Sequence, residues 1–257
     1  MTQFRYVPKK EFDCVSRDFY LHIHRGPVAS PQPVVVHQLR FLVGDISRAL
    51  VSLATCAAGK GELHGIIVHF GLDTDSALDL ALQFVCMFPV HATPDTYTYT
   101  PTATYYVIVG GRLVRSPDAL SHWLADSADR YTKEVVIRRT DGPNWEPFSM
   151  GDDVTSIAFL YEGALDLLIA ENGLTETDVL ELVPAAEPAT WKEDGHGGIE
   201  EKDFYQSLCW VGVGVELDDV DHTEKFKNKG ADLGSLCPPN CALLYLPERG
   251  QPRRPGC

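Results

Sequence analysis

Three histidines near the start of the chain are the residues best suited to holding a metal ion. His22 and His24 are two residues apart, and His37 lies in the next apolar segment. If residues 19–24 form a strand, as their apolar content indicates, His22 and His24 share one face. Imidazoles in such pairs can ligate zinc or copper. No Glu and distant His complete a ligand set, and Arg25 adjoins the pair. We therefore predict surface or interface histidines, with no metal and no cofactor.

Cysteine chemistry is the second candidate, because Cys237 and Cys241 are separated by three residues, two of them prolines. A structural zinc site needs two such pairs, and only Cys209 or Cys257 could contribute further thiolates. A redox pair normally has two intervening residues at a helix N-terminus. We therefore interpret the pair as free thiols in a rigid turn. An intermolecular disulfide stays open if the protein is deposited outside a cell.

The cysteine count as a whole is odd. The chain has seven cysteines: Cys14, Cys56, Cys86, Cys209, Cys237, Cys241 and Cys257. An odd count in a reducing compartment makes free thiols the default expectation.

Glycine-rich and acidic motifs do not have the context that catalysis requires. The glycines from Gly59 to Gly65 follow a predicted helix and precede a predicted strand, the reverse of a phosphate-binding loop. Gly212 and Gly214 fall inside a predicted strand. Carboxylate pairs such as residues 152–153 and 218–219 are ordinary in a chain with 36 acidic residues. We predict that the chain is not an enzyme and assign no catalytic residues; an enzyme with a scattered site stays an alternative.

Alternating threonines and tyrosines between residues 93 and 111 form the clearest strand pattern. Tyr97 and Tyr99 fall on one pleated face, with threonines on the other. A tyrosine face packs well and tolerates water, which suits a surface that contacts another protein. This pattern favours association over chemistry.

The elements that position these residues can be read from the spacing of apolar side chains. Helices are predicted over residues 45–56 and 73–88, after the Ser116-Pro117-Asp118 cap, and more weakly over 163–172 with Gly173 ending it. The third helix is expected to bury Leu120, Trp123, Leu124 and Ala128. Predicted strands cover residues 19–24, 34–43, 63–70, 105–109, 134–139, 154–161, 208–217 and 242–246.

Strands outnumber helices in this prediction, so the expected fold is α+β. We predict a substantial, sandwich-like β-sheet core flanked by three or four short helices. Residues 1–257 form a single domain, with long loop excursions near 184–203 and 218–236 that are rich in Pro, Gly and charge. No repeat of 20 to 50 residues is visible.

Charge and hydropathy exclude two classes of partner. The formal net charge is −14, and the basic dipeptides are scattered, so nucleic acid is not an expected partner. No stretch approaches the roughly 18 apolar residues of a membrane span. The first residues lack the apolar core of a signal peptide. We therefore expect a protein of the cytoplasm of the producing cell, with no membrane partner.

The order of segments resembles the polyhedrins of cypoviruses (cytoplasmic polyhedrosis viruses), which crystallise in infected insect cells around virions. The segments that carry the resemblance are residues 19–24, 34–51, 65–70, 93–97, 106–114, 154–160 and 210–217. They resemble, in order, a hairpin entering a helix, a strand, a Pro-Asp turn, a second hairpin, a buried strand and a last strand. Pro8 interrupts residues 1–17, so we do not predict the family's N-terminal helix there. The tail after Leu217 is additional.

The resemblance implies a structural, self-assembling protein, specifically the matrix of a viral occlusion body that crystallises in the cell and embeds virions. Its partners would be copies of itself, which would form trimers or a lattice through strand faces such as that of Tyr97 and Tyr99. The resemblance also implies contacts with virions. A second reading is an acidic inhibitor or immunity-type protein. It would mask a basic partner with its acidic stretches, residues 193–203 and 216–224.

Overall fold

Antiparallel strands make up most of the regular structure. The computed structural model describes residues 5–7, 9–52, 62–89, 97–138, 144–148, 155–160, 165–188, 192–193, 199–200, 204–213, 230–232 and 235–237. Within them the strands are β1 (Arg5–Val7), β2 (Ile23–Arg25), β3 (Gln32–Pro33), β4 (Arg40–Leu42), β5 (Glu62–Leu72), β6 (Leu78–Pro89), β7 (Tyr97–Val109), β8 (Arg112–Arg115), β9 (Val135–Arg138), β10 (Trp145–Pro147), β11 (Ser156–Leu160), β12 (Val179–Pro188), β13 (Lys192–Glu193), β14 (Ile199–Glu200), β15 (Phe204–Gly212), β16 (Gly230–Asp232) and β17 (Ser235–Cys237).

These strands form three main sheets and one short ribbon. The largest sheet has the order β17-β11-β5-β6-β7-β8, the second β1-β16-β15-β12-β4, and the third β10-β9-β2-β3. Strands β13 and β14 pair with each other. Consequently β8 is an edge of the six-stranded sheet and β4 is an edge of the five-stranded sheet, and the two edges lie beside each other.

Helices are few and short. They are α1 (Lys9–His22), α2 (Val43–Ser52), α3 (Leu120–Trp123, continuing through a π-helical segment Leu124–Ala128 and Asp129–Glu134) and α4 (Asp166–Glu171). Gly173 follows α4 with a φ of 63°, the left-handed C-cap that the sequence predicts. This mixture of sheets and short helices confirms the predicted α+β class.

The segment predicted as a helix over residues 73–88 is instead a turn followed by β6, and that prediction was wrong. Leu78 and Leu82 fit a helical spacing, but they also share one strand face with Leu80 and Phe84, which are buried as well, while Ala81 and Val85 are buried on the other face. Asp73 is a turn residue, not a helix cap, since its Oδ1 accepts the amides of Asp75 (2.9 Å) and Ala77 (2.8 Å). The period of two decides the structure because both faces of β6 are covered.

Residues 19–24 show the opposite error, because α1 extends through His22. Val15 and Phe19 are four residues apart, and both are buried, as expected for one face of a helix. Only Ile23 and His24 of the predicted strand belong to β2. The chain therefore has a helix close to its N-terminus, beginning directly after Pro8 in the sequence, where none was predicted.

Helix α3 crosses the end of the β5–β6 hairpin and contacts both faces of the sheet. Trp123 covers Gly71, where an added Cβ would lie 2.7 Å from the indole ring. Tyr131, eight residues later, is fully buried and stacks on Phe70 with ring centroids 5.7 Å apart. Phe70 and Gly71 are consecutive in β5 and so point to opposite faces. Leu124, which was predicted to be buried, is exposed.

One large apolar cluster fills the space between the sheets and helices. It contains side chains from the six-stranded sheet (Phe70, Leu80, Phe84, Tyr106, Ile157), from β4 and β12 (Phe41, Leu180, Leu182), from β2 and β9 (Ile23, Val135) and from the helices (Phe19, Ile46, Tyr131, Leu168). Facing sheets over a shared core correspond to the sandwich-like arrangement that was predicted.

The long loops predicted near residues 184–203 and 218–236 are partly strands. Residues 184–188 belong to β12, and short strands also occupy parts of 192–200 and 230–237, where long loops were predicted. Their Pro and Gly content suggested loops, but strand pairing across the sheet supplies backbone hydrogen bonds that composition does not reveal. The predicted strand over 242–246 lies outside the described residues. The single-domain prediction stays a prediction.

Candidate interaction surface

Asp45 joins the edges of two sheets. It lies in the first turn of α2, and its side chain is 2% exposed. Its carboxylate accepts hydrogen bonds from Arg48 Nη2, from Arg112 Nε (3.1 Å) and Nη2 (2.8 Å), and from the amides of Leu42 (3.3 Å) and Leu113 (3.0 Å). Leu42 ends β4 and Leu113 lies in β8. One carboxylate therefore satisfies backbone donors on both edge strands.

The electrostatics of Asp45 follow from these donors. Burial alone would raise the pKa of the Asp45 carboxyl. Hydrogen bonds from Arg112, the Leu113 amide, Arg48 and the Leu42 amide outweigh burial and lower that pKa to about 2. The Asp45 carboxyl is therefore ionised in the folded protein at neutral pH.

The β7–β8 hairpin beside Asp45 is tightly constrained. Its two turn residues, Gly110 and Gly111, have φ values of 58° and 74°, which a two-residue turn of this hand requires and glycine allows. The turn fixes the register, with Val109 opposite Arg112 and Val107 opposite Val114. Val109 and Val114 therefore lie on the same face of the hairpin.

This face presents apolar and cationic side chains together. Val109 is 58% exposed and Val114 is 44% exposed. Arg112 (50% exposed) lies opposite Val109, and Asp45 holds both Arg112 and Arg48 (57% exposed), which reaches the carboxylate from α2. We call Val109, Val114, Arg48 and Arg112 the hairpin surface. Apolar contacts flanked by arginines are typical of protein interfaces.

The sequence contains local signals for the hairpin surface. Gly110-Gly111 between two apolar runs is a hairpin signal, and Val109 and Val114 flank it closely. Nothing in the sequence links Asp45 to Arg112, which are 67 residues apart. That contact exists only because the two sheet edges meet.

The predicted histidine group is not brought together. His22 ends α1, and its Nδ1 donates to the Arg138 carbonyl oxygen at 2.8 Å. His24 lies in β2 and stacks on Trp145 with ring centroids 4.1 Å apart. Burial and the nearby Arg138 lower the pKa of His24. His37 is exposed between β3 and β4. The shared strand face predicted for His22 and His24 is therefore wrong.

A different histidine, His69, lies in a polar row across the six-stranded sheet. His69 Nε2 donates to Gln83 Oε1 at 3.2 Å, and Gln83 Nε2 donates to the Thr102 carbonyl oxygen at 2.6 Å. Burial lowers the pKa of His69, against the opposing effect of Gln83. Ser156 is the cross-strand neighbour of His69. Since Nε2 is directed to Gln83, this row has the geometry of a polar ladder and not of an activated nucleophile.

A partly buried carboxylate, Asp79, lies at the contact between β6 and α3. Its Oδ2 accepts the indole Nε1 of Trp123 at 2.9 Å. Burial raises the pKa of Asp79 despite that hydrogen bond, and the charge of Asp73 raises it further. Across the residues that the structure describes, no group of three His, Cys, Asp or Glu side chains could hold a metal ion.

Two cysteines differ from the expectation of free thiols. Cys14 in α1 and Cys86 in β6 are each disulfide-bonded, so that expectation was wrong for these two. Cys237 ends β17, whose backbone pairs with β11. The rest of the predicted Cys237–Cys241 turn lies outside the described residues.

The remaining sequence candidates can be placed only in part. Tyr97 and Tyr99 begin β7, opposite Pro89 and Met87, which confirms the predicted strand. The side chains of both tyrosines lie outside the described part of the chain. The same holds for residues 152–153 and 218–219 and for most of the glycine-rich segment 59–65.

Comparison with protein families, with curated proteins and with solved structures finds no match to this chain. Among the described helices, none combines the length and hydropathy that crossing a membrane requires.

Proposed function

We propose that this chain is a structural protein that assembles with copies of itself, as the matrix protein of a viral occlusion body of the polyhedrin kind. In this proposal the assembly is a lattice that embeds virions. The chain does its work through its surface and not through a reactive centre. The single observation that carries the proposal is the hairpin surface.

The hairpin surface supports self-association for energetic reasons. Val109 and Val114 leave apolar area in water on a hairpin closed by a two-residue turn. Covering such area stabilises a complex by about 25 cal/mol per Å² before association costs are subtracted. Because strand pairing already fixes the backbone of the hairpin, the entropy lost on binding is mainly that of side chains.

The proposal also places the protein in the cytoplasm of the producing cell. The disulfides at Cys14 and Cys86 are typical of oxidising surroundings. We propose that these bonds form after assembled particles leave the cell. Alkylation of thiols during lysis, followed by mass spectrometry, should find Cys14 and Cys86 reduced inside cells and oxidised in released material. Full oxidation inside intact cells would contradict this location.

Self-assembly is tested by expression and sedimentation. Cells that express the chain should contain refractile crystals under light microscopy, and the purified protein should sediment as concentration-dependent oligomers at neutral pH. Val109→Thr with Val114→Thr removes apolar area while keeping β-branched shape. It should raise the concentration needed for association by about tenfold.

The matched control is Val28→Thr with Val35→Thr, two other exposed valines, which should leave association unchanged. A wild-type chain that stays monomeric at high concentration would refute the proposal. Monomeric protein that binds a basic partner with a steep salt dependence would instead favour the second reading, an acidic inhibitor.

A further inference from the structure

The two arginines of the hairpin surface are arranged to bind an anionic group from outside. Asp45 orients the Arg112 guanidinium through Nε and Nη2 and holds Arg48 through Nη2. A guanidinium carries five N–H donors. In the described part of the chain, Nη1 of Arg112 makes no hydrogen bond. Donors therefore remain for a second carboxylate on two cations that are already fixed in place.

Local charge at this point opposes the charge of the whole chain. Arg48 and Arg112 share one buried carboxylate, so these three groups together carry one excess positive charge. The chain as a whole carries −14. A basic patch on a strongly acidic protein is complementary to other regions of the same protein.

One segment of the chain has the matching chemistry. Residues 216–224 contain five carboxylates and no Lys or Arg. The side chains of Arg48 and Arg112 are about half exposed, so each can contact a group that approaches from solvent. A carboxylate pairs with a guanidinium through two parallel hydrogen bonds, which makes an acidic peptide a fitting ligand.

We infer that the hairpin surface, through Arg48 and Arg112, binds the acidic segment 216–224 of a second copy of the chain. This inference rests on the proposed self-assembly and names the contact that carries it. The two sides of the contact are different surfaces, so the contact is heterologous. Heterologous contacts generate rings or open arrays instead of closed dimers, which suits a growing lattice.

Charge neutralisation in the full chain tests the acidic side. One variant changes the five carboxylates of 216–224 to amides, and the matched control changes the five carboxylates of 193–203. Each moves the net charge from −14 to −9, because five negative charges are removed (−14 + 5 = −9). The first variant should weaken association by about tenfold or more, and the control should not. Equal behaviour of the two variants would overturn the inference.

A peptide tests the basic side without altering the fold. A fluorescent peptide of residues 216–224 should bind the full-length protein, with an affinity that falls between about 50 mM and about 300 mM salt. Its all-amide analogue should not bind. Arg48→Gln should weaken peptide binding by about two- to fivefold, whereas Arg17→Gln, an exposed arginine on α1, should not change it. Circular dichroism of both variants confirms that they are folded.

The outcomes separate this inference from the proposed function. Association that persists while the peptide fails to bind would overturn the inference and leave self-assembly standing. Peptide binding to a chain that stays monomeric at every concentration would overturn the assignment to a second copy, and self-assembly with it.

Discussion

Replacing Asp45 by Asn tests whether one buried carboxylate holds two sheet edges together. Asn keeps the size of the side chain but removes its charge and one acceptor. In the folded protein the pKa of Asp45 is about 2, against 3.8 for an unperturbed Asp. That difference corresponds to about 2.5 kcal/mol of folding free energy at neutral pH. Leaving the Leu42 or Leu113 amide without an acceptor would add about 1–3 kcal/mol.

The sign of the pH dependence follows from the lowered pKa. The stabilisation by Asp45 is fully present above the unfolded-state value of 3.8 and is lost as the pH falls towards about 2. Urea unfolding of wild type and Asp45→Asn should therefore differ by about 2.5–5.5 kcal/mol at neutral pH, with the upper end reached if an amide loses its acceptor. Near pH 2, which is about the folded pKa, most of the stabilisation by the Asp45 charge is lost, so the difference between the two proteins should be smaller by about that amount.

The control is Asp13→Asn, which breaks an exposed ion pair with Lys9 on α1 and should change stability by less than about 0.5 kcal/mol. A double-mutant cycle with Arg112→Gln should show coupling between Asp45 and Arg112, because their contact is bidentate. An Asp45→Asn effect below about 1 kcal/mol at neutral pH, or one that does not change with pH, would refute this account.

Three further predictions concern the contact of α3 and the disulfides. Asp79→Asn keeps an acceptor for Trp123 and removes a partly buried charge, so the melting temperature of the variant at neutral pH should equal or exceed that of wild type. Because the pKa of Asp79 is raised, this advantage should vanish below the unfolded pKa. A lower melting temperature of the variant at neutral pH would contradict the prediction. Gly71→Ala places a Cβ 2.7 Å from the Trp123 ring and should cost about 1–3 kcal/mol in urea unfolding, with partial rescue by Trp123→Leu; an additive double mutant would argue against this contact. Reduction of the disulfides of Cys14 and Cys86 should lower stability by about 2–4 kcal/mol, and unchanged melting with reductant would show that they contribute nothing.

Predictions succeeded where neighbouring residues alone settle the structure. Glycine at position 173 ends α4 because a left-handed residue there favours glycine, and this can be read locally. The alternation in β7 likewise fixes which residues share a face. Predictions failed over Leu78 and Leu82, since a spacing of four fits a helix and also a strand that is buried on both faces. Only coverage of the second face by α3 distinguishes the two.

In the candidate site, too, some features follow from local sequence and others from tertiary contacts. The Gly110-Gly111 turn and the valines beside it are sequence features, and they alone indicate a hairpin. The acidic composition and the carboxylates of 216–224 are also sequence features. The sequence thus determined a β-rich, acidic chain and the local form of its hairpin.

Only the tertiary structure decided what that hairpin presents. Asp45 and Arg112 are 67 residues apart, and they meet because β4 and β8 are edges of different sheets over one core. The lowered pKa of Asp45 and the fixed arginines depend on that meeting. Local patterns cannot report it, because the energy of a buried charge is set by partners that folding brings from distant parts of the chain.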